Sequence, residues 1–528
     1  MFLKILILII FFAVMIGVGI YCRKSAANVQ GFVLGDRKVG SWLTAFAFGT
    51  SYFSAVIFVG YAGQFGWKYG LSATWIGLGN ALIGSLLAWR ILGRRTRLMT
   101  QYLHSATMPD FFGQRFNSEA LKVAASVIVF VFLIPYTASL YNGLSRLFGL
   151  SFGIDYAWCV IGMAVLTGIY VLVGGYMATA VNDFIQGMIM LIGIVAVILS
   201  VLNGNGGFTA AIEKMSQIPS EAAPALNGAF VSFFGPQPLY LLGVVLLTSL
   251  GTWGLPQMVG KFYAIRDEAA IRKGTFISTF FAIIVAGGCY FLGGFGRLYG
   301  DVIDFAPNGN PVYDSIVPSM LQTLPDLMIG VVIILVLSAS MSTLSSLVLT
   351  SGSTLTLDII KPAVAKSGKS MSEKSQLLSI RLLVVFFIAV SSVLAIIQAK
   401  SSVTFIAQLM GISWGALAGA FLAPFLYGLY WKKTTKASVW ASFIVGVGIM
   451  CGCMYGTFTK TTFISPFFSS PINAGVLSMV AGLVIVPVVS LFSKVKDQEN
   501  IDKMFSCYNR EVTVRASTSL MDAEEKND

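Results

Sequence analysis

The sequence contains a single histidine, His104, among 528 residues. A Ser/His/Asp triad and a histidine-based zinc site each need an imidazole placed beside other reactive or ligating groups. The six cysteines show neither the CxxC spacing of a redox pair nor the spacing of a zinc ribbon. These scarcities argue against a hydrolytic or metal-dependent enzyme, and we expect no enzymatic activity.

Charged residues are also scarce, at 11% of the chain, whereas hydrophobic residues make up 56%. A soluble domain carries roughly 25% charged residues. With roughly 20 apolar residues needed for each membrane crossing, the apolar segments correspond to about thirteen transmembrane helices. The composition therefore predicts an all-α polytopic membrane protein with no sizeable soluble domain.

The basic residues are sorted along the chain. If the loop after the first helix is cytoplasmic, that side of the membrane collects 28 of the 35 Lys and Arg residues. The positive-inside rule then places the N-terminus outside and the C-terminus in the cytoplasm of a multi-pass cell-membrane protein. This sorting explains the net charge of +12 without a nucleic-acid partner. We expect the lipid bilayer and a small solute as partners, and a functional monomer.

Two predicted helices carry interruptions at corresponding places. The second helix contains the segment 49–54 (GTSYFS) and the seventh contains 251–257 (GTWGLPQ). Gly and Pro weaken helical hydrogen bonding, and a broken helix at membrane depth is tolerated where its backbone lines a cavity. Breaks five helices apart predict two five-helix units of opposite orientation, which is the inverted-repeat plan of secondary transporters. Alternatively, the glycines and proline reflect only their general frequency in membrane helices.

The ninth helix is rich in hydroxyl side chains. Ala339, Ser342 and Thr343 share one helix face. Their oxygens, with the carbonyl groups of Thr50 and Phe53 at the first break, predict a five-oxygen shell for a hard cation such as Na⁺. Small hydroxyl residues also mediate close helix packing, so packing remains the alternative explanation.

Asp183 is a carboxylate near membrane depth, at the predicted start of the sixth helix. It is either a helix cap or a functional group. The candidate solute pocket is neutral and largely aromatic, because we find no Lys or Arg in the central part of the helices that would line it. Its candidate residues are Tyr52, Trp75, Tyr136, Trp253, Gln257, Gln408 and Trp414.

The sequence resembles the sodium:solute symporter family, which includes sodium-coupled proline, pantothenate, sialic acid, sugar and monocarboxylate carriers. The matching motifs include Leu34-Gly35-Asp36-Arg37, Met108-Pro109-Asp110-Phe111-Phe112, Gly254-Leu255-Pro256-Gln257 and Met341-Ser342-Thr343-Leu344-Ser345. The resemblance implies a sodium site at Thr50, Phe53, Ala339, Ser342 and Thr343. In some members a second sodium site occurs, which would fall here on Asp183, Ser342, Ser345 and Ser346.

The sequence also departs from particular members of the family. Tyr52 stands where the family's proline carriers have an aspartate, and no arginine near Tyr136 matches the one that sialic acid carriers use. The resemblance therefore predicts the class of carrier and not its solute.

Together, the residues and the resemblance predict a Na⁺-coupled symporter that imports a small neutral or zwitterionic organic solute, with Na⁺ as coupling ion and no organic cofactor. A proton-coupled carrier of the same fold, a transporter-like sensor and a passive channel remain alternatives. The expected organisation is a first helix and cytoplasmic loop (1–40), two five-helix repeats (41–203 and 204–436), two peripheral helices (437–493) and a disordered cytoplasmic tail (494–528).

Overall fold

A computed structural model of the chain describes residues 2–152, 155–306, 309–399, 406–495 and 497–509. Within these ranges the regular structure is helical, and the predicted all-α class is confirmed. In chain order the α-helices are α1 (Phe2–Tyr21), α2 (Val29–Leu34), α3 (Ser41–Tyr52), α4 (Ala62–Tyr69), α5 (Thr74–Gly79), α6 (Arg94–Tyr102), α7 (Met108–Arg115), α8 (Glu119–Phe152), α9 (Tyr156–Gly204), α10 (Phe208–Ser216) and α11 (Pro238–Leu250). They continue as α12 (Pro256–Ala264), α13 (Glu268–Ala282), α14 (Gly288–Gly294), α15 (Tyr313–Gln322), α16 (Asp326–Thr354), α17 (Lys361–Lys366), α18 (Glu373–Ala399), α19 (Ile406–Tyr430), α20 (Lys436–Thr459), α21 (Pro471–Phe492) and α22 (Gln498–Phe505).

Many of these helices are long and apolar enough to cross a membrane. In the described part of the chain there are 10 such stretches, or 11 when the bent pair Pro238–Gly254 and Pro256–Ala264 counts as one span. Two continuous runs, Val56–Tyr102 and Tyr156–Gly204, have 47 and 49 residues, far more than the roughly 20 that one crossing needs. The polytopic architecture agrees with the prediction, whereas the count of thirteen helices is not confirmed.

Both predicted helix interruptions are present. After α3, Phe53 has an extended backbone (φ −81°, ψ 113°). After α11 and the short turn Gly251–Gly254, Leu255 has nearly the same conformation (φ −87°, ψ 119°), and the helix axis bends by 46°. Matching breaks in two helices are a feature of transporters built from repeats. The division of this chain into two five-helix repeats stays a prediction.

The second break is packed tightly against α19. A Cβ atom added to Gly254 would lie 2.7 Å from the Ala418 Cα and 2.9 Å from the Leu422 backbone nitrogen. These distances are too short for any side chain, so glycine is required for this close approach. The packing thereby holds the broken helix against its neighbour.

Asp183 does not begin a helix, so of the two alternatives for it, the helix cap is wrong. The break in α9 falls earlier, at Gly175 (φ 54°, ψ −148°). A Cβ there would meet the backbone of Phe32 at 2.9 Å, so a glycine provides both the left-handed conformation and the space. The helix resumes at Tyr176 and leaves Asp183 inside it, fully buried.

Helix α16 lies at the centre of the bundle. It packs against α8, α9 and α18, and also contacts α3. Every residue from Leu335 to Leu349 is buried, including the hydroxyl-rich segment Ser338–Ser346. The ion-site candidates therefore face protein on all sides.

Part of the tail predicted to be disordered is ordered. Helix α22 begins after Asp497, whose side chain caps it by accepting a hydrogen bond from the backbone N–H of Asn500. Lys432 pairs with Asp502 at 2.6 Å, and the guanidinium of Arg95 stacks 4.6 Å from the ring centroid of Tyr508. These contacts fix residues 497–509 against the basic end of the bundle. The rest of the predicted tail, 510–528, lies outside the described residues.

Candidate ion and solute site

Helix α16 and the break after α3 meet through oxygen atoms. The Thr343 hydroxyl oxygen lies 3.0 Å from the carbonyl oxygen of Thr50 and 3.4 Å from that of Phe53. It also lies 3.2 Å from the carbonyl oxygen of Ala339. The Ser342 hydroxyl oxygen lies 3.3 Å from the carbonyl oxygens of both Thr50 and Ala339. The structure thus brings all five predicted ion-site residues together.

The helix break explains why two backbone oxygens are available there. Because α3 ends at Tyr52, the carbonyl groups of its last turn lack helical N–H partners. Those of Thr50 and Phe53 accept hydrogen bonds from α16 instead. Helix α16, which is distant in the sequence, therefore supplies the hydrogen-bond donors that these carbonyl groups lack at the break.

The spacing of these oxygens suits a small hard cation. Oxygen ligands lie about 2.4 Å from such an ion, so two ligands at a right angle are separated by about 3.4 Å. The measured oxygen–oxygen distances run from 3.0 to 3.4 Å. All five oxygens are neutral, which favours a monovalent over a divalent ion, because divalent sites use carboxylates.

Three of the predicted pocket aromatics form one cluster between the two breaks. The ring centroids of Tyr52 and Trp414 are 5.8 Å apart, and those of Trp414 and Tyr136 are 5.9 Å apart at right angles. Trp414 also lies against Gly251, at the start of the second break. The cluster therefore joins the end of α3, helix α8 and helix α19 next to the oxygen shell.

Polar atoms near the breaks remain without partners. The Tyr52 hydroxyl and both amide atoms of Gln257 are buried and make no hydrogen bond. Buried polar groups in proteins are nearly always paired, so unpaired ones need an explanation. These atoms are therefore candidate contacts for a bound solute.

The other pocket candidates lie elsewhere or have partners. Trp75 donates its indole N–H to the carbonyl of Phe233 and packs on that exposed ring. Trp253 donates to the carbonyl of Ile83. Gln408 is partly exposed near the start of α19. Their role in binding a solute stays a prediction.

A buried lysine at the end of the predicted seventh helix lies inside the bundle. Lys261, on α12, is 3% exposed. Its Nζ lies 3.0 Å from the Ser346 hydroxyl oxygen and 3.7 Å from Oδ2 of Asp183. The expectation that no Lys or Arg lies in the central part of the helices that line the cavity is therefore wrong.

The sequence held a signal for this lysine. The apolar stretch that predicts the seventh helix, 237–260, ends one position before Lys261. Because Pro256 starts a new helix after the break, the four residues that follow it complete only about one turn. A helix that restarts at Pro256 extends past Lys261 and places this side chain inside the protein. A continuous helix over the apolar stretch would end before Lys261.

A cavity leads from the basic end of the molecule to this lysine. Its walls include Tyr176, Gln257, Lys261 and Ser346. It shares the lining residues Val33, Leu34 and Ala106 with a wider cavity whose walls contain Arg37, His104, Lys122 and Lys361. The two cavities are adjacent and outline a candidate passage from the basic loops toward Lys261 and Ser346.

A second buried carboxylate lies at the mouth of this passage. Asp358 is fully buried and accepts a hydrogen bond of 2.6 Å from the Thr107 hydroxyl. Its other oxygen lies 3.5 Å from Nζ of Lys122, which also pairs with Asp110 at 2.7 Å. This cluster ties α7, α8 and the segment between α16 and α17 together.

Broken helices, a shell of neutral oxygens and unpaired polar groups buried among long apolar helices define a class of protein, the secondary transporters with discontinuous helices. The sequence model of the sodium:solute symporter family matches residues 32–446. The chain belongs to the sodium:solute symporter family, as the resemblance implied. It is a multi-pass membrane protein of the symporter type and not an enzyme.

Curated relatives match over most of their length. The osmoregulated proline transporter OpuE of Bacillus subtilis is 29% identical over 479 residues, which cover 90% of this chain and 93% of that protein. Sodium/proline symporter 2 of Staphylococcus saprophyticus is 30% identical over 453 residues, or 84% of each chain. Among solved structures, a Na⁺-coupled sialic acid symporter in a substrate-bound outward-open state aligns with a TM-score of 0.70 and 16% identity. That alignment covers 93% of this chain and 98% of that one, and it supports the fold.

Proposed function

We propose that the chain is a Na⁺-coupled symporter that imports a small neutral or zwitterionic organic solute by alternating access. The observation that carries the proposal is the convergence of five neutral oxygens from α16 and the break after α3. Family membership and the names of the sodium/proline relatives support sodium as the coupling ion.

The ion has a direct structural role in the proposal. Sodium between the Thr50 carbonyl and the Thr343 hydroxyl joins the broken helix to α16, and so stabilises one arrangement of the two elements. Tyr52, which lies between the ligand residues Thr50 and Phe53 in the sequence, packs against Trp414 in the aromatic cluster. Sodium binding thereby orders the surface that receives the solute. Coupling requires that sodium binds one conformation of the carrier more tightly than the other, because a ligand that binds both conformations equally does not shift the equilibrium between them.

The solute class follows from the lining groups. The aromatic faces of Tyr52, Tyr136 and Trp414 form one cluster, and the unpaired amide of Gln257 lines the cavity that contains Lys261; we take both as parts of the candidate pocket. Lys261 is balanced by Asp183, so this pair adds no net charge. Such a pocket suits a solute with an apolar part and paired or neutral polar groups. Proline, which the curated relatives carry by name, is therefore the first solute to test.

The orientation and repeats form part of the same proposal. We place the N-terminus outside and the C-terminus in the cytoplasm, so that the passage to Lys261 opens inward. The segments 41–203 and 204–436 are proposed as the two inverted repeats, whose breaks at Phe53 and Leu255 share one backbone conformation.

Uptake into proteoliposomes tests the function. Solutes that raise the thermal stability of the purified protein in Na⁺ are selected first, since binding to the native state stabilises it. An inward Na⁺ gradient should drive their accumulation, and choline at the same pH should not. Accumulation that follows a proton gradient in choline would instead establish a proton-coupled carrier, and equilibration without accumulation a channel.

The site is tested with the double variant Ser342→Ala/Thr343→Ala, which removes both hydroxyl ligands. Hydrogen bonds and contacts to a charge contribute about 1.5–3 kcal/mol each, so the half-saturating sodium concentration should rise at least tenfold. Ser340→Ala is the matched control, since its buried hydroxyl bonds only to the Val336 carbonyl of its own helix. Unchanged sodium dependence in the double variant would refute the site.

A further inference from the structure

We propose that the ammonium group of Lys261 is a built-in cation that takes the position of a second sodium ion, so that the carrier binds one Na⁺ per transport cycle. This inference rests on the proposed sodium-coupled function. It concerns the set Asp183, Ser342, Ser345 and Ser346, on which the family resemblance would place a second sodium site.

The ammonium makes contacts that such an ion would make. Its Nζ lies 3.0 Å from the Ser346 hydroxyl oxygen and 3.7 Å from Oδ2 of Asp183. It also lies 5.3 Å from the ring centroid of Tyr176. A carboxylate, a hydroxyl and an aromatic face thus surround one positive charge that the chain itself provides.

The remaining two residues of the set are engaged elsewhere. The Ser345 hydroxyl donates to the backbone carbonyl of Ser342, at 2.9 Å. The Ser342 hydroxyl faces the first site, 3.3 Å from the Thr50 carbonyl oxygen. With Ser346 occupied by the lysine, only the two carboxylate oxygens of Asp183 lack a hydrogen bond within the set, and the ammonium lies 3.7 Å from one of them.

The balance of charge also argues against a sodium ion beside Lys261. Asp183 is fully buried, and a buried carboxylate without a countercharge is strongly unfavourable. Lys261 supplies that countercharge in ion-pair geometry, and its own side chain is 4% exposed. A sodium ion at the same carboxylate would place two positive charges within a few ångströms of each other in a desolvated site, which like-charge repulsion opposes.

The built-in cation is linked to the first ion site by direct contacts. The Ser346 hydroxyl that contacts Lys261 also lies 2.7 Å from the Ser51 hydroxyl. Ser51 follows Thr50, whose carbonyl belongs to the five-oxygen shell. The lysine therefore holds the inner end of the broken helix in the way that a second ion would, but it is not released in each cycle.

Counting bound sodium tests the inference without knowing the solute. The probe is radioactive sodium alone, measured at equilibrium on the purified full-length chain. The native protein should bind one ion per chain. Lys261→Ala leaves the Asp183 carboxylate and the Ser346 hydroxyl free, so this variant should bind two. Lys261→Arg keeps a cation and should stay at one.

Two further variants make the count specific. Lys261→Ala/Asp183→Asn removes both charges and should return to one ion. Lys432→Ala, the matched control, removes a lysine from an exposed pair with Asp502 and should leave the count at one.

The possible counts distinguish failure of the built-in cation from failure of the proposed sodium-coupled function. Two ions on the native protein, or one on Lys261→Ala, would overturn the built-in cation and leave sodium coupling standing. The count on the native chain decides even where Lys261→Ala does not fold. A native chain that binds no sodium would overturn the proposed function and, with it, this inference.

Discussion

Substitution of Gly254 tests whether tight packing at the second break is needed. In Gly254→Ala the new methyl group would lie 2.7 Å from the Cα of Ala418 and 2.9 Å from the backbone nitrogen of Leu422. Both are backbone atoms, so no side chain can rotate away, and α19 must move. Overpacking of this kind costs about 1–3 kcal/mol.

The matched control lies in the adjoining helix. A Cβ on Gly260 meets nothing within 4 Å, and replacing glycine by alanine inside a helix gains about 0.5–1 kcal/mol. Gly260→Ala should therefore match or exceed the native protein in stability, whereas Gly254→Ala should fall below it. The two variants differ in position and not in chemistry.

Thermal unfolding of the purified proteins, followed by tryptophan fluorescence, measures the difference. Gly254→Ala should unfold at a lower temperature than Gly260→Ala, and it should require more sodium for half-maximal uptake, because Trp414 packs on the same break at Gly251. If the two variants unfold at the same temperature, the close approach of α19 does not hold the broken helix, and the packing argument fails.

Two more substitutions have defined outcomes. Gln257→Leu removes the unpaired amide and should weaken stabilisation of the protein by solute at least fivefold while its sodium binding changes less than twofold; equal loss of both would contradict a role in the pocket. Asp358→Ala leaves the buried Thr107 hydroxyl without its acceptor, while Lys122 keeps its closer partner Asp110, and it should cost about 1–3 kcal/mol of stability. The control Asp502→Ala, from an exposed pair, should cost about 0–1 kcal/mol; equal unfolding temperatures for these two would contradict the structural role of Asp358.

The oxygen shell was predictable because its signals are local. The segment 49–54, which begins with Gly49, indicates where carbonyl groups lose their helical partners, and the spacing of Ala339, Ser342 and Thr343 places them on one face. Their meeting across the bundle follows from the fold, which the motifs implied. The structure then brought these residues within 3.0–3.4 Å of one another.

The predicted positions of Lys261 and Asp183 were wrong because both depend on the residue at which a helix restarts after a break. A hydropathy window averages over a break, so it ended the seventh helix before Lys261 and began the sixth helix near Asp183. In the structure, Pro256 and Tyr176 begin the new helical segments. These shifts move both charges from the predicted edge of the membrane into the buried core.

The pairing of these two residues also limits which solutes suit the proposed mechanism. The charges of Asp183 and Lys261 cancel, and the five-oxygen shell contains no carboxylate, so a bound Na⁺ keeps its full positive charge inside the protein. A cationic solute nearby would be repelled, while a carboxylate of a zwitterion would be attracted toward the ion. An anionic solute would also be attracted to the sodium ion, but the sequence provides no arginine near Tyr136 that would bind it. A zwitterion with its carboxylate toward the sodium site and an apolar part on the aromatic cluster satisfies all three constraints.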